Sequence, residues 1–191
     1  DRAYNEAIDN FDLSLANGNY SKEIKARALF WKSEALYRVG DYNNSIASYN
    51  QFARNSSSAN DAEALSADYN MGYAYLKTDN KEAAQQHFRK YVEKMQGKRT
   101  PKIADAYNRI GDYYFLNTNY AQAIDNYERA YNIKMLEADY ALLQIAFCQG
   151  LQRKQQDKIN NLNLLLREFP ESDYYDDALY LSLIHISEPT R

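Results

Sequence analysis

Residues 33–52, 72–91 and 111–130 read SEALYRVGDYNNSIASYNQF, GYAYLKTDNKEAAQQHFRKY and GDYYFLNTNYAQAIDNYERA. Each opens on a small residue, and these three, Ser33, Gly72 and Gly111, stand 39 positions apart. Twelve residues after each comes a second small one, Ser45, Ala84 or Ala123, and four later an aromatic, Tyr49, Phe88 or Tyr127. Three further on stand Phe52, Tyr91 and Ala130. Self-similarity at this period means stacked supersecondary units, none of which buries its apolar face alone. Such a stack offers a surface rather than a reaction centre.

Composition points to helices. The 191 residues include only 6 Gly and 3 Pro, so local propensity favours helix almost throughout. Tyrosine is abundant at 19 residues; a phenol fills a half-buried seam and still reaches water or a partner with its tip. The net charge of −3 argues against a nucleic-acid surface, and the basic group Lys94, Lys98, Arg99 and Lys102 reads as a solvated loop. The single Cys148, within an apolar run, reads as a small core residue. The two histidines, His87 and His185, have no partner at ligand spacing, so neither a metal nor a cofactor is expected. No run approaches the roughly 20 apolar residues that cross a bilayer.

Breaks in the pattern divide the chain. Residues 3–20 read as the second half of a truncated unit, because Tyr4 to Phe11 resembles Tyr42 to Tyr49 and Tyr120 to Tyr127. Full units follow at 21–54, 60–95 and 100–134, with turns at Gly40 and Asp41, at Thr78 to Asn80 and at Asn117 to Asn119. Asn60 with Glu63 has capping-box spacing, and Thr100 before Pro101 is an N-cap followed by proline at the first helical position. A degenerate unit at 139–169 places Ala146 at the small position and Leu162 at the aromatic one. There Lys158 replaces the second small residue, which predicts a looser, partly exposed turn. A further unit opens at 172–180.

This pattern resembles the tetratricopeptide repeat over residues 3 to 180. The resemblance implies an all-α fold, a right-handed superhelical α-solenoid of antiparallel helix pairs. It assigns Ser33, Gly72, Gly111 and Ala146 as the small residues that admit the second helix. Ser45, Ala84 and Ala123 then meet them, and Tyr49, Phe88 and Tyr127 wedge between units. The period exceeds the family's by about five residues, assigned to longer linkers or slightly longer helices. In this family the first helices line a concave face, which would place Phe30, Glu34, Tyr37, Tyr69, Tyr73, Asn108 and Asp112 in a groove, with Leu143 and Phe147 beyond. Phe30, Leu143 and Phe147 read equally as core. The groove that clamps a C-terminal carboxylate in co-chaperones is excluded: Asn70 and Arg109 suit it, but Phe30, Glu34 and Asp105 occupy its other positions.

The stretch Phe169, Pro170, Ser172, Tyr174, Asp177, Ala178, Leu179 and Tyr180 is similar to linkers in bacterial envelope members of the family, including Tol-Pal-associated proteins and outer-membrane assembly lipoproteins. It reads equally as a generic link, with Ser172 capping the next helix. Residues 181–191 match the in-frame translation of a transposase-type sequencing adapter at all eleven positions and are expected to be foreign. The start at Asp1 is expected to reflect a removed leader or a truncation, which leaves both envelope and cytoplasm open.

No nucleophile, base and orienting group assemble, and no phosphate-binding motif occurs. The expected function is therefore a non-catalytic adaptor that binds a protein or peptide with apolar anchors and some basic character in its groove. The alternatives are a scaffold whose repeats pack on further repeats or subunits, and the repeat region of a larger enzyme. Self-association is expected where units cut in mid-motif expose Phe11 and Leu179.

Overall fold

The computed structural model describes residues 2–17, 19–55 and 62–183. Among them are ten α-helices and no strand: α1 (Arg2–Ala16), α2 (Lys22–Arg38), α3 (Tyr42–Asn55), α4 (Ala62–Lys77), α5 (Lys81–Lys94), α6 (Pro101–Leu116), α7 (Tyr120–Ile133), α8 (Ala138–Leu151), α9 (Gln155–Glu168) and α10 (Tyr175–Leu183). They form two compact units, Asp1–Met95 and Gln96–Arg191. Asn60 and residues 184–191, with His185, lie outside the described residues.

Every hairpin closes by the same three-residue stop. In Val39–Asp41, Thr78–Asn80, Asn117–Asn119 and Gln152–Lys154 the middle residue is left-handed: Gly40 at φ 86°, Asp79 at 58°, Thr118 at 58° and Arg153 at 61°. The residue after it then returns its N–H to a carbonyl five positions back, Asp41 to Leu36, Asn80 to Tyr75, Asn119 to Tyr114 and Lys154 to Gln149, each at 2.9 Å. This is the Schellman arrangement, which satisfies carbonyls the helix end would leave orphaned. In three of the four turns the same residue starts the next helix. Asp41, Asn80 and Asn119 accept the N–H of Asn44, Ala83 and Gln122 at 3.3, 3.1 and 3.4 Å. A turn this short folds each second helix back on its first.

The connections between hairpins vary instead. Six residues separate α5 from α6 but only four separate α7 from α8, and Ala146 lies two residues nearer the start of its helix than Gly111 does. Together these shorten the period from 39 to 35. Thr100 caps α6, its Oγ1 accepting from Ile103 N–H at 3.3 Å, with Pro101 at the first position. Arg99 is not simply solvated: its guanidinium donates to the carbonyls of Asn132 and Ile133 at 2.7 and 3.0 Å, capping the C-terminus of α7. Lys94 likewise reaches Asp68 at 2.5 Å.

Packing within two of the hairpins depends on a missing side chain. A Cβ on Gly72 would meet the Phe88 ring at 2.7 Å, and one on Gly111 would meet the Tyr127 ring at 2.6 Å. The small residue therefore admits the aromatic sixteen positions on, in the same hairpin, beyond its expected role of letting the helices approach. In α2 and α3 the second contact is polar: Ser45 Oγ donates to the Ser33 carbonyl at 2.8 Å, while Ser33 Oγ donates to the Leu29 carbonyl at 2.7 Å. In α8 and α9 the pair is Ala146 with Leu162, both buried, where a smaller partner leaves room for a Cβ. Lys158 is half-buried, its stem lying where a Gly150 Cβ would come within 3.3 Å of it. Between hairpins, α2 touches α4 in the first unit and α6 touches α8 in the second, so successive first helices share a face. The α8 helix is apolar on nearly every side because two clusters claim it, one through Ala141, Ile145 and Cys148, the other through Leu142, Leu143 and Ala146.

Gly72→Ala should lower stability by about 1–3 kcal/mol in urea unfolding, as overpacking does, and adding Phe88→Leu, the combination present at Ala146 and Leu162, should restore part of it. Thr118→Gly should raise stability by about 1 kcal/mol, because a β-branched residue is strained at positive φ; an unchanged urea midpoint would contradict the left-handed turn.

Candidate peptide-binding groove

Four of the residues expected on the concave face meet in one place. Glu34 and Tyr37 from α2 and Tyr69 and Tyr73 from α4, with Arg38 and Asn70, line a pocket of about 290 Å³ in the first unit. Tyr69 and Tyr73 are one helical turn apart and so share a face. Their rings lie 5.2 Å apart at 68°. Both rest on the ring that Gly72 admits, Tyr69 at 5.9 Å and Tyr73 at 5.3 Å from Phe88. Tyr37 packs against Tyr42 at 5.3 Å. Burial, the neighbouring Tyr42 and the Glu34 carboxylate all raise the Tyr37 phenol above its ordinary range.

Glu34 is the polar centre of the pocket. Its Oε1 accepts from Asn70 Nδ2 at 2.6 Å, across hairpins, and from the Tyr49 hydroxyl, within its own hairpin. Burial first, and then Glu34, push the Tyr49 phenol far up, so it stays a donor.

The second unit treats the same positions differently. Asn108 is 0% exposed; its Nδ2 donates to the Glu137 carbonyl at 3.3 Å, and its Oδ1 has no partner. Asp112 is occupied: Oδ1 accepts from Tyr127 and Tyr140 at 2.8 and 2.6 Å, and Oδ2 from Arg109 at 2.8 Å. Arg109 also reaches Asp105 at 3.2 Å and Glu137 at 2.8 Å. The guanidinium that would suit a carboxylate clamp is thus already held by three carboxylates. Phe30, 5% exposed, is core, set edge-on against Tyr49 and Phe52. Leu143 is buried and Phe147 packs on the same cluster. Phe30 and Asn108 therefore turn away from any ligand, because each is enclosed by its neighbours.

Acid and phenol are coupled within a hairpin, which residue spacing alone does not reveal. Where the wedge carries a hydroxyl, as Tyr49 and Tyr127 do, the residue after the small position is an acid, Glu34 or Asp112. Where the wedge is Phe88, that residue is Tyr73. Another buried centre leaves no mark in the sequence: Asp68, 8% exposed, accepts from Lys94 and lies 2.8 Å from His87 Nδ1, whose ring stacks on Tyr75. Burial alone would raise the Asp68 carboxyl, but the hydrogen bonds from His87 and Lys94 outweigh it and hold it below its usual range. Cys148 is 0% exposed, and burial pushes its thiol up to about 12, a core residue with little thiolate. Among the described residues no cluster of His, Cys, Asp and Glu is arranged to hold a metal ion.

Helical hairpins with the same three-residue turn, each setting a large side chain sixteen positions on against a small residue, and with successive first helices in contact within each unit, define a helical-repeat scaffold. The tetratricopeptide repeat profile matches residues 33–98 and 69–139, and a second tetratricopeptide repeat profile matches 140–172. The chain belongs to the tetratricopeptide repeat family. Among solved structures it is similar to the apo form of RapI, with a TM-score of 0.77 and 16% identity over 98% of this chain and 55% of that one. It is similar to a MamA protein, with a TM-score of 0.69 and 19% identity over 93% and 86%. Bacillus thuringiensis PlcR, solved in complex with the peptide PapR7 and DNA, gives a TM-score of 0.55 and 11% identity over 93% and 69%. At these identities the likeness is one of fold. No curated protein sequence matches the chain significantly.

The phenols carry a pH signature. Tyr127 and Tyr140 are raised by burial and then by Asp112, from an ordinary value of 10.0. A group whose folded pKa lies above its unfolded one contributes fully below the unfolded value and loses that contribution above it. Stability should therefore fall as pH rises past about 10, by up to about 1.4 kcal/mol per pH unit for each such phenol, and Tyr127→Phe should shallow the slope in urea melts.

Proposed function

We propose that the chain is a non-catalytic adaptor module that captures a peptide segment of a partner protein in the groove of Glu34, Tyr37, Tyr69 and Tyr73. The observation that carries this reading is the convergence of three tyrosines and a half-buried acid from two successive first helices on one pocket. Aromatic side chains of this kind supply large contact area with few rotamers to freeze, and they dominate hot spots where peptides dock. Binding of a peptide by a structural relative, PlcR with PapR7, supports the same use of the fold. No helix among the described residues is long and apolar enough to cross a membrane.

An assembly in the bacterial envelope is the setting that the resemblance of Phe169 to Tyr180 supports. Part of that segment also serves the fold locally. Ser172 Oγ accepts from Tyr174 N–H at 3.1 Å and its hydroxyl reaches Asp139, which holds the turn before α10. The scaffold reading draws support from Tyr69 and Tyr73, whose rings pack on Phe88 and so serve the hairpin as well as the groove.

Panning a displayed random peptide library against the protein, then measuring the selected peptides on Tyr37→Ala, separates the two. Groove binding predicts a loss of about tenfold or more in affinity, the scale of one hot-spot residue, with far-ultraviolet circular dichroism unchanged. Unaltered affinity would sink the groove, and loss of helicity would assign Tyr37 to packing.

A further inference from the structure

The chain supplies its own counter-ion to one of two equivalent acids and not to the other. Asp112 is paired with Arg109 at 2.8 Å, three residues earlier on the same helix. The residue three before Glu34 is Trp31, half-exposed and edge-on to Phe30, which brings no charge. Glu34 receives only a phenol and an amide, both neutral and both on Oε1, and it makes no ion pair among the described residues. Asn70 stands at the repeat position that Arg109 takes 39 residues on. A half-buried carboxylate without a cation, in a pocket walled by tyrosine rings, favours a positive ligand twice over. The Coulomb attraction is weakly screened there, and aromatic faces attract cations.

Resting on the groove reading above, we propose that this pocket receives one cationic side chain, arginine or lysine, of the bound peptide, with Glu34 as its counter-ion and Tyr37, Tyr69 and Tyr73 as its walls. Arg38 also lines the pocket, one turn after Glu34, but it is exposed and forms no ion pair with Glu34. The guanidinium or ammonium of the ligand would take the inner position, leaving Arg38 at the rim.

The test is an NMR titration of protein labelled in its tyrosine rings, with N-acetyl-arginine methylamide as probe and the uncharged N-acetyl-norleucine methylamide as control. The expected result is that only the arginine probe moves the Tyr37, Tyr69 and Tyr73 signals. Its affinity should fall about tenfold in Glu34→Gln and weaken in about 0.5 M salt. Glu34→Gln keeps an oxygen for Tyr49 and Asn70, so the first unit should stay folded, which unperturbed signals of Tyr75, stacked on His87 in the same unit away from the pocket, would verify. Arg38→Ala should bind the probe as well or better. Equal response to both probes, no response to either, insensitivity to Glu34→Gln or weaker binding in Arg38→Ala would overturn the assignment. Panned peptides that depend on Tyr37 yet carry no basic residue would do so too while leaving the groove intact. An arginine probe that binds as expected where no peptide is selected would sustain the cation site and sink the peptide reading instead.

Discussion

An aromatic ring lying where a side chain is missing is the contact on which the two glycine hairpins depend. Phe88 occupies the space of a Gly72 Cβ and Tyr127 that of Gly111, and both rings are buried almost completely. Interiors packed to this density cannot yield a methyl group at no cost, so at Gly72 and Gly111 the glycine and the ring it admits are chosen together. The following residue on the first helix inherits the consequence. If the wedge ends in a hydroxyl, burial demands an acceptor, and Glu34 or Asp112 supplies it; if the wedge is Phe88, an aromatic can stand there instead, and Tyr73 does. Tyr73 can thus stand in the groove wall because its wedge, Phe88, lacks an oxygen that would need an acid there.

Each unit resolves its buried charge in its own way. In the first, Asp68 is neutralised by Lys94 with His87 alongside, while Glu34 is held by neutral donors. In the second, Arg109 gathers Asp105, Asp112 and Glu137, and its guanidinium lies 5.4 Å from the centre of the Tyr140 ring. A bidentate donor with five N–H groups can serve several acceptors at once, so Asp112 is engaged within its own unit where Glu34 lines a pocket.

Much of this is readable from residue spacing. The interval of 39 locates the hairpins, the turns at Gly40, at Asp79 and at Thr118 follow from broken helical patterning, and the Thr100 and Pro101 cap behaves as its chemistry requires. Phe30 is ambiguous in sequence because its position faces the groove in the general pattern, while its size lets it reach Tyr49 and Phe52. Glu34 and Asp112 look identical in register; what distinguishes them is Tyr140, from the next hairpin, and Arg109, whose long side chain has many rotamers. The Tyr140 contact arises only when helices distant in sequence are brought together, and the Arg109 contact, though local, depends on which rotamer a long side chain adopts. Arg99 reads as a solvated loop residue for the same reason, since its acceptors are carbonyls more than thirty residues away.

The invariant three-residue stop has a consequence for how such a chain changes length. Each hairpin carries its own termination signal and, in three of four cases, the initiator of its second helix, whereas the connection before the next hairpin differs in length between α5–α6 and α7–α8. Insertions and deletions are absorbed at those connections, outside the wedge and its cavity. The hairpin is therefore the natural unit of duplication and exchange: a crossover between hairpins transplants a ring together with the hole it fills, and a crossover within one separates them.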